Sequence, residues 1–250
     1  MSDEFSKLIC AAREMIQSEL SLGGDFLPAC RNPLPPAADS PTGRSEERPA
    51  AGQKAAALAE LEQEAQKCLA CQLGTTRSKL VFGEGSADAE LVFVGEAPGE
   101  EEDRTGRPFV GRAGELLTRM IGAMGLRRQD VYICNIGKCR PPGNRAPAPE
   151  EIQACWSFLV RQLQVIGPKV IVTLGNPATQ NLLGTSIGIT KLRGQWQRLP
   201  DIGEGLEGTP VMPTFHPAFV LRQYTPDNRR KVWEDLKKVL ELLGRQPPVE

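Results

Sequence analysis

The stretch ELVFVGEAPGEEEDRTGRPFVGRAGELLTRMIGAMG, residues 90–125, decides the fold. Its first six residues form a nearly unbroken apolar run, as in a strand buried on both faces. Its last thirteen, AGELLTRMIGAMG (113–125), space their apolar residues as a helix does. A loop rich in Gly and Pro joins them. The same order recurs downstream. DVYICN (130–135) leads through a Pro/Gly loop to PEEIQACWSFLVRQLQVIG (149–167). KVIVTLG (169–175) leads to PATQNLLG (177–184), and PVMPTFH (210–216) to DNRRKVWEDLKKVLELLG (227–244). Short apolar strands alternating with helices predict an α/β fold, a three-layer α/β/α sandwich around a central four-stranded parallel sheet. Upstream, AAALAELEQEAQKCLAC reads as a helix ending at a CxxC. No internal repeat is present.

The 250 residues suffice for one sizeable α/β domain plus extra segments. No apolar stretch is long enough to span a membrane. The acidic, amphipathic N-terminus lacks the basic start and apolar core of a secretory signal, so a cytoplasmic address is expected. Residues 4–20 read as a short amphipathic helix, and 32–53, rich in Pro, Ala, Gly and charge, as a disordered linker. The expected division is therefore a 1–53 extension, which could contact a protein partner, and a 54–250 catalytic domain. The extension carries eight acidic and five basic side chains, and the rest of the chain is weakly positive at +2. Net charge neither supports nor excludes nucleic acid, because Lys and Arg can still gather on one face.

In parallel sheets, ligands bind beyond the carboxyl ends of the strands. The first strand runs into Gly95-Glu96-Ala97-Pro98-Gly99, the second ends at Asn135 and the fourth at His216. Three polar features thus converge on one edge. The 95–114 loop has neither the GxxxxGK[ST] nor the GxGxxG pattern, so it is no phosphate loop of those kinds. Its glycines allow close backbone approach to a ligand, although a tight structural turn with a solvated acidic run would use the same residues. Phe109 within it suits stacking on a flat base and equally suits a core plug. His216, the only histidine, is either a satisfied structural residue or part of the site at that edge.

Seven cysteines in a chain without a secretory signal argue against a disulfide framework. Cys68 and Cys71 form the CxxC, and fifteen residues separate Cys139 from Cys155. A zinc ribbon usually shows two CxxC pairs, so this pattern fits an iron–sulfur cluster better, with free thiols as the other reading. Cys134 alternates with Ile133 on a strand and reads as core.

Three segments carry a resemblance: GEAPGEEEDRTGRPFVGRAG (95–114), YICNIGKCRPPGNRAPAPEE (132–151) and PTFHPAFVLR (213–222). They resemble the family 4 uracil-DNA glycosylases, the iron–sulfur branch of that superfamily, over about residues 60–243. The resemblance implies a [4Fe–4S] cluster on Cys68, Cys71, Cys139 and Cys155. It implies that Phe109 stacks on a flipped uracil, that Asn135 reads the uracil edge through its amide, and that His216 bonds uracil O2. Glu96 and Ala97 fall on the first motif. Glu102 is a candidate to position or activate water, and Asn144 a further candidate for the pocket. The segment 217–222, with Leu221 and Arg222, is implied to enter the minor groove. Lys138, Arg140, Arg145 and Arg222 are candidate phosphate contacts, each readable instead as an ordinary solvated charge.

The implied activity is hydrolysis of the N-glycosidic bond of uracil in single- or double-stranded DNA, by a monomer, in base excision repair. One related sub-branch traps uracil covalently through a histidine in an inserted basic loop. Here the matching KLRGQW, residues 191–196, has neither, which implies turnover. Lys138 is the only lysine in the three motifs, so a monofunctional enzyme is expected.

Overall fold

The computed structural model describes residues 51–248. The helix expected over 4–20 and nearly all of the expected linker lie outside them. Helix α1 (Ala51–Gln66) starts three residues before the expected domain boundary and stops short of Cys68. Helix α2 (Leu73–Thr76) follows the CxxC.

Four of the strands are those read from the apolar runs: β2 (Leu91–Gly95), β3 (Tyr132–Asn135), β4 (Val170–Leu174) and β6 (Pro210–Thr214). They pair in parallel in the order β3-β2-β4-β6. The sheet has six strands, not four. Edge strands β1 (Glu84–Gly85) and β5 (Gln197–Arg198) close it, antiparallel to β3 and β6. Each is two residues long, too short to show the period of two by which a strand is recognised.

Alternate residues on each strand enter opposite cores, as the pleat requires. Val92 and Val94 pack in one cluster with Leu58 and Leu61 of α1, Leu159 and Leu163 of helix α5 (Pro149–Ile166), and Leu182 of helix α6 (Asn176–Leu183). Leu91 and Phe93 pack in the other with Leu117 and Ile121 of helix α4 (Arg112–Ala123) and Leu236 and Val239 of helix α9 (Pro226–Leu242). This is the three-layer sandwich. All residues of β2 and β4 are buried, and each fully buried aliphatic side chain contributes roughly 1.5–3 kcal/mol. Cys134 is fully buried in the first cluster.

Inside the 95–114 loop the chain forms helix α3 (Glu100–Thr105), where a solvated acidic run was one expectation. Its first turn holds Glu100, Glu101, Glu102 and Asp103, charges that suit the positive end of a helix. Helices α7 (Ile189–Leu192) and α8 (Pro217–Arg222) complete the fold, the latter beginning directly after His216.

Candidate active site

The register of the sheet brings the site together. Gly95 at the end of β2 pairs with Asn135 at the end of β3, and Leu174 pairs with Thr214 two residues before His216. The loops leaving these ends enclose a cleft of about 680 Å³. Glu96, Ala97, Glu102, Phe109, Asn135 and His216 all line it. Asn144, Arg145 and Arg222 line it as well and are exposed.

Asn135 is 2% exposed, and its Oδ1 accepts no hydrogen bond. An unsatisfied buried acceptor costs about 1–3 kcal/mol, so a ligand donor at this point would be bound with little competition. The amide fits only because residue 95 is glycine. A Cβ there would collide with Asn135 Oδ1 and lie 2.6 Å from Phe109 Cζ.

Phe109 is 6% exposed yet lines the cleft, so it is both part of the core and part of the site. Its backbone is left-handed, φ +52°. Its ring lies 5.7 Å from the His216 ring, tilted by 33°.

His216 caps helix α8. Its Nδ1 accepts the Ala218 backbone N–H at 3.0 Å. Burial pushes its pKa down to about 4, the Arg222 charge pushes the same way, and Glu102 opposes. The ring is therefore neutral at pH 7, with its one proton on Nε2. The arrangement offers a single neutral N–H donor, with no imidazolium and no second free nitrogen.

The two carboxylates differ. Glu102 Oε1 accepts the N–H groups of Val110 and Gly111 at 2.9 and 3.0 Å, and Oε2 accepts Gly99 N–H at 3.1 Å. Its oxygens are committed to holding the loop. Glu96 is half-buried, and burial alone raises its pKa. No hydrogen bond or ion pair from the described residues holds its carboxylate. Of the two carboxylates, only that of Glu96 is left unengaged by the described residues.

The expected phosphate contacts separate in the same way. Lys138 is 1% exposed, and its Nζ donates to Asn135 O at 2.6 Å and Gln162 Oε1 at 2.5 Å. It cannot reach a phosphate, and that expectation is corrected. Its ammonium braces β3 from within, and among the described residues no lysine lines the cleft. Arg145 is held by both oxygens of Glu151, at 2.8 and 2.6 Å, so a phosphate would have to compete with that carboxylate. Arg140 bonds Asn144 Oδ1 at 2.8 Å and lies 3.5 Å from Glu100. Leu221 is half-buried against the second core cluster and presents only part of its side chain. Arg222 is exposed at the cleft and has no ion pair among the described residues.

Cys68, Cys71, Cys139 and Cys155 line one small cavity together, although they come from three separate segments. Arg77 and Lys138 line it as well. Arg77 donates to Cys139 Sγ at 3.1 Å, and the Lys138 backbone N–H donates to Cys155. Burial pushes the Cys139 thiol up to about 11, against the pull of Arg77. The four thiols thus share one small cavity, with one guanidinium contact and one backbone donor on its sulfurs. Among the described residues, no three Cys, His, Asp or Glu side chains converge as a single metal ion requires. A cubane bonds each cysteine to a different iron, so its ligands surround a body and need not meet at one point.

A family model described as the uracil DNA glycosylase superfamily matches residues 82–237, which contain the whole cleft. The chain belongs to the uracil DNA glycosylase superfamily. It is similar to the type-4 uracil-DNA glycosylase of Thermotoga maritima, 50% identical over 184 residues that cover 72% of this chain and 91% of the relative. Its identity to the type-4 enzyme of Archaeoglobus fulgidus is 45% over 195 residues, covering 76% and 96%. For that of Saccharolobus solfataricus it is 46% over 191 residues, covering 74% and 85%.

Two residues of this superfamily member, Asn176 and Gln162, belong to no motif of the sequence, whereas Phe219 lies in the segment expected at the minor groove. Asn176 lines the cleft; its Oδ1 accepts Ile189 N–H at 2.8 Å and its Nδ2 donates to Gln180. Its place just after β4, at the same sheet edge as Asn135, was the available signal. Phe219 lines the cleft and packs its ring 4.8 Å from Phe215. Gln162 gave no signal. It is a fully buried amide in mid-helix, joining Lys138 to Tyr132 Oη and Phe82 O.

Proposed function

We propose that the chain is a monofunctional uracil-DNA glycosylase. It hydrolyses the N-glycosidic bond of uracil flipped out of DNA and leaves an abasic site, in base excision repair. The observation that carries this reading is the orphaned Asn135 Oδ1 in a cleft that also holds an aromatic ring and a neutral histidine donor. Uracil N3–H donates to that oxygen, and Asn135 Nδ2 donates to O4. Cytosine presents the reverse pattern and leaves the acceptor facing a lone pair. A site built to hydrogen-bond its substrate can reject such an analogue by roughly four decades. Phe109 supplies the face on which the base stacks, which offsets the few kcal/mol that flipping costs.

In the chemical step the C1′–N1 bond breaks and its electron pair stays with uracil N1. The charge spreads to O2, where His216 Nε2–H donates. A donor aimed at developing charge is worth roughly 3–4 kcal/mol. Water adds its oxygen to C1′, and the Glu96 carboxylate accepts its proton. Ala97 and Asn144 border the base, and Glu102 fixes the loop that carries Phe109. Arg222, with Arg140 and Arg145 nearby, faces the DNA backbone, so affinity falls as salt rises. Among the described residues no lysine lines the cleft, which supports hydrolysis without a Schiff-base step.

Cys68, Cys71, Cys139 and Cys155 would hold a [4Fe–4S] cluster, which would crosslink the CxxC segment, the loop after β3 and helix α5. The enzyme acts as a monomer in the cytoplasm. No helix among the described residues is long and apolar enough to cross a membrane. Residues 54–250 form the catalytic domain, and residues 1–53 would contact a protein partner.

A single-turnover assay on a labelled oligonucleotide with one uracil, followed by alkali, tests the proposal. Cleavage that needs both uracil and alkali is expected. A brown, DNA-binding protein that releases no base would overturn it.

A further inference from the structure

Phe109 has a backbone conformation that an aromatic residue rarely adopts, and such conformations persist only where the surroundings over-determine them. The surroundings here are specific. Arg128, half-buried on a short 3₁₀ turn (Arg128–Asp130) before β3, belongs to none of the three sequence motifs. Its Nη2 donates to Pro108 O at 2.8 Å, and its Nη1 to Phe109 O at 3.1 Å and Thr118 Oγ1 at 3.2 Å. Its Nε lies 3.3 Å from Glu84 Oε1.

Glu84 on β1 also takes Arg107 of the same loop, at 2.7 and 2.9 Å. The two guanidinium groups hold its carboxyl below the usual carboxylate range. From below, Gly114 lets α4 approach, because a Cβ there would collide with the Phe109 carbonyl. From the far side, Glu102 holds the next two N–H groups.

We infer that Arg128, anchored by Glu84, is a positioning residue that sets the Phe109 ring as the base platform before DNA arrives. The inference rests on the reading of Phe109 as the surface on which uracil stacks. A rigid planar fork fixes two successive carbonyls in one geometry, whereas an ammonium on a flexible stem bonds them without fixing their relative orientation. A platform fixed in advance incurs no ordering cost when the base enters, so the clamp acts on base capture and not on contact with the duplex.

Free uracil is the probe, because it needs the platform but neither flipping nor phosphate contacts. The full-length protein and its variants are compared by inhibition with free uracil and by affinity for a uracil-free duplex. Arg128→Met weakens uracil inhibition about tenfold, about 1.4 kcal/mol, and leaves duplex affinity within about twofold. Arg128→Lys recovers part of the loss. Arg127→Met changes neither quantity, since Arg127 pairs with Asp130 and does not touch the loop.

Unchanged uracil inhibition in a folded Arg128→Met would overturn the inference. So would a parallel fall in uracil and duplex affinity, which marks a general structural loss. If Arg128→Met does not fold, Arg128→Lys and Glu84→Gln carry the same comparison, with the same outcomes deciding. A parent that neither releases nor binds uracil sinks the proposed function instead. A parent that does both beside an indifferent Arg128→Met sinks the clamp alone.

Discussion

Asn135 illustrates a trade between stability and function at a single residue. Its side-chain oxygen is buried without a partner, a cost the folded protein bears until a ligand arrives. Asn135→Ala is expected to cut uracil release by about 100-fold or more while DNA binding persists. Its Tm stays level or rises, because the lost amide bordered an existing cleft. Single-turnover rates and thermal melts check both halves, and a lower Tm with unchanged release would reverse the assignment. For His216, the folded pKa of about 4 lies below the usual 6.5. Between these values the unfolded chain binds more protons than the folded one, so stability rises with pH through that window and is complete above it. Melts at pH 7 and pH 5 should show the parent losing stability, on the order of 2 kcal/mol, and His216→Gln losing distinctly less. Equal slopes would show that His216 is not buried neutral. Asn135 and His216 were legible because polar residues ending apolar strands stand out. Arg128 and Gln162 were not, because an arginine and a glutamine outside any motif look like ordinary surface residues until burial is known. Lys138 was misread for the same reason.

Among the elements, the apolar strands and the long amphipathic helices from α4 onward declare themselves by period, and their observed ends fall within a residue or two of the expected ones, while α1 starts four residues earlier than the stretch read as helix and ends before the CxxC. Elements held by capping do not. Helix α3 has no apolar stripe; it exists because its acidic first turn meets a helix N-terminus and Glu102 reaches back to Gly99. In Glu102→Gln one carboxylate oxygen becomes an amide donor that opposes backbone N–H groups. Stability should fall by about 1–3 kcal/mol, and KM should rise as the Phe109 loop loosens. The acid limb of the rate profile should stay where the parent has it. In Glu96→Gln that limb disappears, since the ionised Glu96 is lost as pH falls through its raised pKa. If the two variants exchange these behaviours, Glu102 is the base.

Across the whole molecule, two sites sit on opposite sides of one strand end. The cysteine cavity and the cleft share the segment from Asn135 to Cys139, and Lys138 spans it by bonding the Asn135 carbonyl from beside Cys139 and Cys155. Cys68→Ala should lose the brown absorbance and bound iron and unfold at a lower temperature; a protein with unchanged spectrum and iron removes Cys68 from the ligand set. The cysteine spacing suggested a metal, yet only the fold brings the three segments to one cavity.

Because Nδ1 of His216 is occupied by Ala218, the ring can steady a negative oxygen but has no free basic nitrogen with which to relay protons. On the proposed reading, uracil then departs as an anion. The pace of bond breaking is thereby handed to the acidity of the departing base, so a ring substituent that withdraws electrons speeds release and one that donates them slows it.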